Sequence, residues 1–153
     1  MGSGVTVAIL LDTSVLYANI DAGDRHHRAS VELLHTHPGP FLVPQLEVTE
    51  VTYLAATRIG PEAELRFLED LARGAFTTVP VEPVDWLRIA ELVWRYREAK
   101  LGTVDASAVA AAERLGITAV ATLDRRHFGM IRPAHAQAFD LLPQDPAVVA
   151  SPE

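Results

Sequence analysis

Two continuous apolar runs, each stopped by an aspartate, constrain this fold more than any other feature. Residues 5–11, "VTVAILL", are rich in β-branched side chains and lead straight into Asp12. Residues 117–123, "ITAVATL", lead straight into Asp124. Runs this apolar are buried on both faces, as central strands of a parallel sheet are. A carboxylate at the end of such a strand needs an explanation, because an unpaired charge is expensive to bury.

The chain around these runs alternates between strand and helix patterns. "RHHRASVELL" has helical spacing, with Ala29, Leu33 and Leu34 on one side. "PFLVP" is a short strand between prolines. "QLEVTEVTYLAATRIG" predicts a helix closed by Gly60, and "PEAELRFLEDLARG" a helix opened by Pro61 and stopped by Gly74. "AFTTVPVE" predicts a strand. In "PVDWLRIAELVWRYREAK" the spacing of Trp86, Ile89, Leu92, Val93 and Tyr96 predicts a core-facing helical stripe. "TVDASAVAAAERLG" is a small-residue helix closed by Gly116, and "AFDLLP" a last short strand. Such alternation predicts an α/β fold, a three-layer α/β/α sandwich with a mostly parallel sheet of four or five strands. One domain is expected over residues 5–143, with residues 144–153 as a flexible tail.

Composition removes several classes of function. The chain has no cysteine, so disulfides and thiolate metal sites are excluded. Its net charge of −7 argues against coating nucleic acid through a broad basic surface. An enzyme that touches nucleic acid at one place is still allowed. No apolar run approaches the roughly 20 residues of a membrane span. The opening "MGSGVTVAILLD" lacks a basic region, so no signal peptide is expected and the cytoplasm is the expected location.

In a parallel sheet, ligands bind beyond the carboxyl ends of the strands. Asp12 and Asp124 stand at those ends. Asp105 opens the helix leading into the second apolar run, which places it at the same edge. Glu47 and Glu50 occupy the first two turns of the helix after "FLVP" and belong there too. Each has an ordinary explanation as a helix cap, a dipole partner or a turn acid. Their joint arrival is harder to explain that way. Two carboxylates about 4 Å apart repel by about 4 kcal/mol at an effective dielectric near 20. A cation would relieve that repulsion, and an all-oxygen site favours Mg²⁺ or Mn²⁺. Periodicity leaves Glu47 and Glu50 open, with Glu47 nearer the apolar side of its helix. Arg125 and Arg126 are the best placed to meet an anionic substrate. Arg25, His26, His27 and Arg28 form a second candidate, although a solvated face explains either group. His35 and His37 of "HTHP" are more simply loop residues than metal ligands.

The segments "LLDTSVLYA", "VPQLEVTEVTYLAATRIG", "TVDASAVAAAERLG" and "AVATLDRRHF" together resemble PIN-domain ribonucleases, above all the VapC toxins of bacterial toxin–antitoxin pairs. The resemblance implies a PIN-like fold and a Mg²⁺- or Mn²⁺-dependent endoribonuclease that leaves a 5′-phosphate. It carries the family's acids onto Asp12, Glu50, Asp105 and Asp124, choosing Glu50 over Glu47. Asp12, Asp105 and Asp124 would hold metal, and Glu50 would orient the attacking water. Ser14 and Thr122 fall where the family keeps small polar residues. His127 stands where many relatives carry another aspartate. The resemblance also implies an RNA substrate, a small antitoxin that blocks the acidic edge, and a homodimer. A PIN nuclease of RNA processing without an antitoxin, or a PIN-like module without catalysis, would share most of these features. A receiver domain needs paired acids after the first strand and a lysine after the last, and a "DxD" phosphatase needs a second acid. Asp12 stands alone in "DTS", and the one lysine, Lys100, lies elsewhere.

Overall fold

The computed structural model describes residues 7–144. Five short strands form one parallel sheet: β1 (Ile9–Leu11), β2 (Phe41–Pro44), β3 (Thr77–Val79), β4 (Ala119–Ala121) and β5 (Asp140–Leu142). Their spatial order is β3-β2-β1-β4-β5. Leu10 sits beside Leu42 of β2 on one side and Val120 of β4 on the other. Parallel neighbours require crossovers, and helices supply them. Helices α1 (Thr13–Ile20) and α2 (His27–Thr36) link β1 to β2, and α3 (Gln45–Arg58) and α4 (Pro61–Ala72) link β2 to β3. The chain then crosses back through α5 (Pro83–Arg95), a 3₁₀ turn at Arg97–Ala99 and α6 (Thr103–Leu115) to reach β4. A short helix, α7 (Arg125–Met130), precedes β5.

Strand alternation divides the core into two layers. Leu10 and Val120 pack with Ile89 and Leu92 of α5, Val109 and Ala112 of α6 and Phe128 of α7. Ile9, Leu11, Ala119 and Ala121 point the other way and pack with Val15 and Leu16 of α1, Val51 of α3 and Phe67 of α4. Helices therefore cover both faces of the sheet, as the sequence predicts. Helix α6 presents buried Ala106, Ala108, Ala110, Ala111 and Ala112. Its small side chains allow close packing, and Gly116 closes it in the left-handed conformation, at φ 71°.

Four points depart from or limit the expectations. Strand β1 begins only at Ile9, and Val7 is exposed. Trp86 does not face the core and is half exposed. The buried neighbour on α5 is Asp85, whose carboxylate accepts from the Glu82 N–H and pairs with Arg114. That pairing lets an acid take the inner position while the indole stays in solvent. Helix α7 has no counterpart in the expected elements. Of the expected tail only Gln144 lies within the described residues.

The strand order reverses between β1 and β4. Such a switch point opens a crevice at the carboxyl ends of the two strands. Asp12 and Thr122 stand there.

Candidate active site

Asp12 follows β1 and caps α1. Its Oδ1 accepts from the Ser14 hydroxyl at 2.6 Å and the Val15 N–H at 3.3 Å. Its Oδ2 accepts from the Thr122 hydroxyl at 2.5 Å. Ser14 also accepts from the Leu123 N–H, so it ties the end of β4 to the start of α1. The cap explanation and the site explanation are thus both true of Asp12. Burial, followed by the nearby charge of Asp105, outweighs these hydrogen bonds and pushes the Asp12 carboxyl up to about 7.

Asp105 lies in the first turn of α6, and its Oδ2 is 3.0 Å from His127 Nδ1. Burial raises its carboxyl above the ordinary range, and the His127 contact opposes the rise. The other imidazole nitrogen lies 3.1 Å from the Ala99 carbonyl. Asp124 follows β4 after Thr122 and Leu123 and caps α7, accepting from the Arg126 N–H at 3.3 Å. Its side chain is half exposed.

Helix α3 sorts its two glutamates by periodicity. Glu47, Val51 and Ala55 form a row buried against the core. Glu50, Leu54 and Arg58 form a row facing the cavity. Glu47 is fully buried, and its carboxyl is raised well above the ordinary range by burial and then by the charge of Asp12. Thr13 joins the two glutamates. Its hydroxyl lies 2.5 Å from Glu47 Oε1 and 2.7 Å from Glu50 Oε1, and its N–H donates to Glu47 Oε1 at 3.0 Å.

A cavity of about 570 Å³ opens over this edge. Asp12, Glu50, Asp105 and Asp124 all line it, together with Thr13, Ser14 and Asp24. Tyr17, His26 and Arg58 line it as well. Arg58 stacks over the Tyr17 ring, 5.4 Å from its centroid. The four acids chosen from the sequence thus meet in one cavity, and Thr122 contacts two of them, the Asp12 carboxylate and the Asp124 backbone.

The arginine expectations divide. Arg126 is exposed beside Asp124, 4.0 Å from its carboxylate. Arg125 is partly buried and donates to the Pro143 carbonyl, away from the cavity lining. Of the second basic group only His26 lines the cavity. His27 bonds the Ala18 carbonyl, and Arg28 is exposed on α2. His37 accepts from the Gly39 N–H, a loop contact. Thr13, Tyr17, Asp24 and Arg58 escaped the sequence reading. Arg58 alone had a usable signal, two turns beyond Glu50 on the same helix face.

Among the described residues, no three acidic or histidine side chains converge tightly enough to grip one ion as they lie. Asp12 spends both oxygens on neighbouring hydroxyls, and Asp105 spends one on His127. The donor chemistry nevertheless fits a hard divalent cation. The lining acids are all oxygen donors, and two of them have carboxyls raised chiefly by burial, a cost that a bound cation would offset.

The PIN domain family matches residues 9–132. Ribonuclease VapC26 of Mycobacterium tuberculosis is 35% identical over 135 residues, covering 88% of this chain and all of that protein. The crystal structure of M. tuberculosis VapC20, a Sarcin-Ricin loop cleaving toxin, superposes with a TM-score of 0.70 at 23% identity, over 74% of this chain and 87% of that one. VapBC2 from Rickettsia felis, bound to a DNA fragment from its promoter, gives 0.66 at 14% identity, over 90% of this chain and all of that one. The acid-lined cavity at the sheet's switch point and the extent of these matches agree: the chain belongs to the PIN-domain family, within its VapC group.

Proposed function

We propose that this protein is a divalent-metal-dependent endoribonuclease and the toxin of a type II toxin–antitoxin pair. The observation that carries this reading is the meeting of Asp12, Glu50, Asp105 and Asp124 in one cavity. Kinship with a ribonuclease over its whole length supports it.

Asp12, Asp105 and Asp124 would hold Mg²⁺ or Mn²⁺. When bound, such a cation polarises the scissile phosphate and makes water a better nucleophile. The chain's own residues do the rest. Ser14 and Thr122 fix Asp12 through its two oxygens. His127 fixes Asp105. Glu50 orients the attacking water. Arg58 and Arg126 supply positive charge to RNA approaching an otherwise acidic cavity. Arg125, engaged with Pro143, serves the fold more than the substrate.

The partners of this reading are an RNA, a small antitoxin that covers the acidic edge, and a second copy of the chain. The protein would work in the cytoplasm. No helix among the described residues is long and apolar enough to cross a membrane. The test is cleavage of cellular RNA by the purified protein in Mg²⁺ or Mn²⁺, against Asp12→Asn and Asp105→Asn. Loss in both variants supports the site, and undiminished cleavage in either removes that residue from it. Growth arrest on expression, relieved by co-expressing the product of an adjacent small reading frame, tests the toxin role.

A further inference from the structure

Thr13 carries one hydroxyl proton, yet its oxygen lies within hydrogen-bonding distance of two carboxyl groups. If Glu47 and Glu50 were both ionised, one of these short contacts would set oxygen lone pairs against each other. One glutamate must therefore bring a proton of its own. Exposure decides which. Glu50 is open to solvent and can remain ionised. Glu47 is sealed at 0% exposure, no arginine or lysine contacts it, and its Oε2 has no hydrogen-bond partner among the described residues. An anion placed there would have no cationic partner among the described residues.

We propose that Glu47 is a positioning residue: as a neutral carboxylic acid it donates to the Thr13 hydroxyl, which in turn donates to Glu50 Oε1 and fixes that side chain at the cavity wall. This inference rests on the nuclease reading for what Glu50 does, but not for the protonation of Glu47. The raised carboxyl of Glu47 has the same direction. The relay also explains why an acid occupies a buried row of α3 otherwise made of Val51 and Ala55. A hydrophobic residue there would leave the Thr13 hydroxyl and N–H without their partner. An alanine or valine at position 13 would leave Glu50 free to rotate.

The test compares Glu47→Gln, Glu47→Leu, Thr13→Val and Thr13→Ser in RNA cleavage with saturating Mg²⁺. Glu47→Leu and Thr13→Val should each lower kcat by about tenfold or more, with KM changing less, because a misplaced group costs turnover. Glu47→Gln keeps a neutral donor and should recover most of the loss, as should Thr13→Ser. Equal losses in Glu47→Gln and Glu47→Leu would show that the negative charge matters and would overturn the proposal. So would an unchanged kcat in Thr13→Val. If Glu47→Leu fails to fold, the glutamine and threonine variants still decide. Infrared spectroscopy gives a readout free of RNA. The wild type minus Glu47→Gln difference spectrum should contain the carbonyl stretch of a protonated carboxylic acid. Its absence overturns the proposal whatever the nuclease assay gives. Its presence in a protein that cuts no RNA would instead sink the nuclease reading and leave a neutral Glu47 standing.

Discussion

Thr122 at the end of β4 donates its hydroxyl to Asp12 at the end of β1, across 110 residues of sequence. With Ser14 on the other oxygen, Asp12 is held entirely by neutral donors. No cationic side chain among the described residues pairs with it, and burial pushes its carboxyl from 3.8 up to about 7. The folded state keeps a proton that the unfolded chain releases at lower pH. Stability from this group is complete below 3.8 and is lost as pH rises through about 7. One pKa unit is about 1.4 kcal/mol, so the loss is at most about 4 kcal/mol. Urea unfolding in a chelator should show wild type falling toward Asp12→Asn, or below it, between about pH 4 and about pH 8. Mg²⁺ at the upper pH should restore the wild type and leave Asp12→Asn unmoved. A pH dependence shared equally by both proteins would refute this account of Asp12.

Phe128 couples the core to the site. Its ring meets Phe139 edge-on at 6.1 Å beneath α7, the helix that Asp124 caps and that carries His127. Phe128→Ala should cost about 3–5 kcal/mol. Phe128→Leu should cost less, because most of the volume is kept. Cleavage should fall in the alanine variant even where thermal melts show the protein still folded, since α7 loses its anchor. Full activity in folded Phe128→Ala would mean that Asp124 is positioned by β4 alone.

What the sequence made legible follows from which interactions are local. The apolar runs at β1 and β4 had to be central strands, because only full burial explains them. The acids at their ends therefore had to share an edge. Side-chain direction on α3 was harder. Glu47 lies nearer the apolar side of that helix, and it is indeed the buried one, whereas family register was needed to prefer Glu50. Neither view exposed Thr13, because a hydroxyl between two acids 34 and 37 residues away leaves no trace in spacing. Arg125 misled for the same reason. It stands next to Asp124 in sequence, but its partner, Pro143, lies just past the strand that follows. Trp86 was placed inside by apolar periodicity, which gives no weight to an acid that brings its own arginine.

His127 lies between two acceptors, the Asp105 carboxylate and the Ala99 carbonyl. It thereby fastens the start of α6 to the turn before it. His127→Ala should lower stability by about 1–2 kcal/mol and leave Asp105 loose. Combined with Asp105→Asn, it should cost clearly less activity than the two single losses added, because one change removes and the other weakens the same contact. Full additivity would separate His127 from Asp105. A cleavage assay on the four proteins of the cycle, with melts alongside, makes the comparison.

Arg58 and Arg125 separate substrate contact from structure. Arg58 shares the cavity-facing row of α3 with Glu50 and stacks on Tyr17, so its charge is presented to whatever enters. Arg58→Ala should raise KM for RNA about tenfold, with a smaller effect on kcat. A lost phosphate contact also reduces the slope of log affinity against log salt by about 0.7 for a single strand. Arg58→Lys should keep that slope, since it keeps the charge, while losing part of the stacking on Tyr17. Arg125→Ala should instead destabilise the end of β5 by about 1–2 kcal/mol, because its hydrogen bond to the Pro143 carbonyl is lost. The salt slope should not change with it. RNA binding measured by anisotropy across a salt series, beside denaturant unfolding, distinguishes the two. A salt slope that drops for Arg125→Ala and holds for Arg58→Ala would reverse the assignment and put the RNA path over α7 instead of α3.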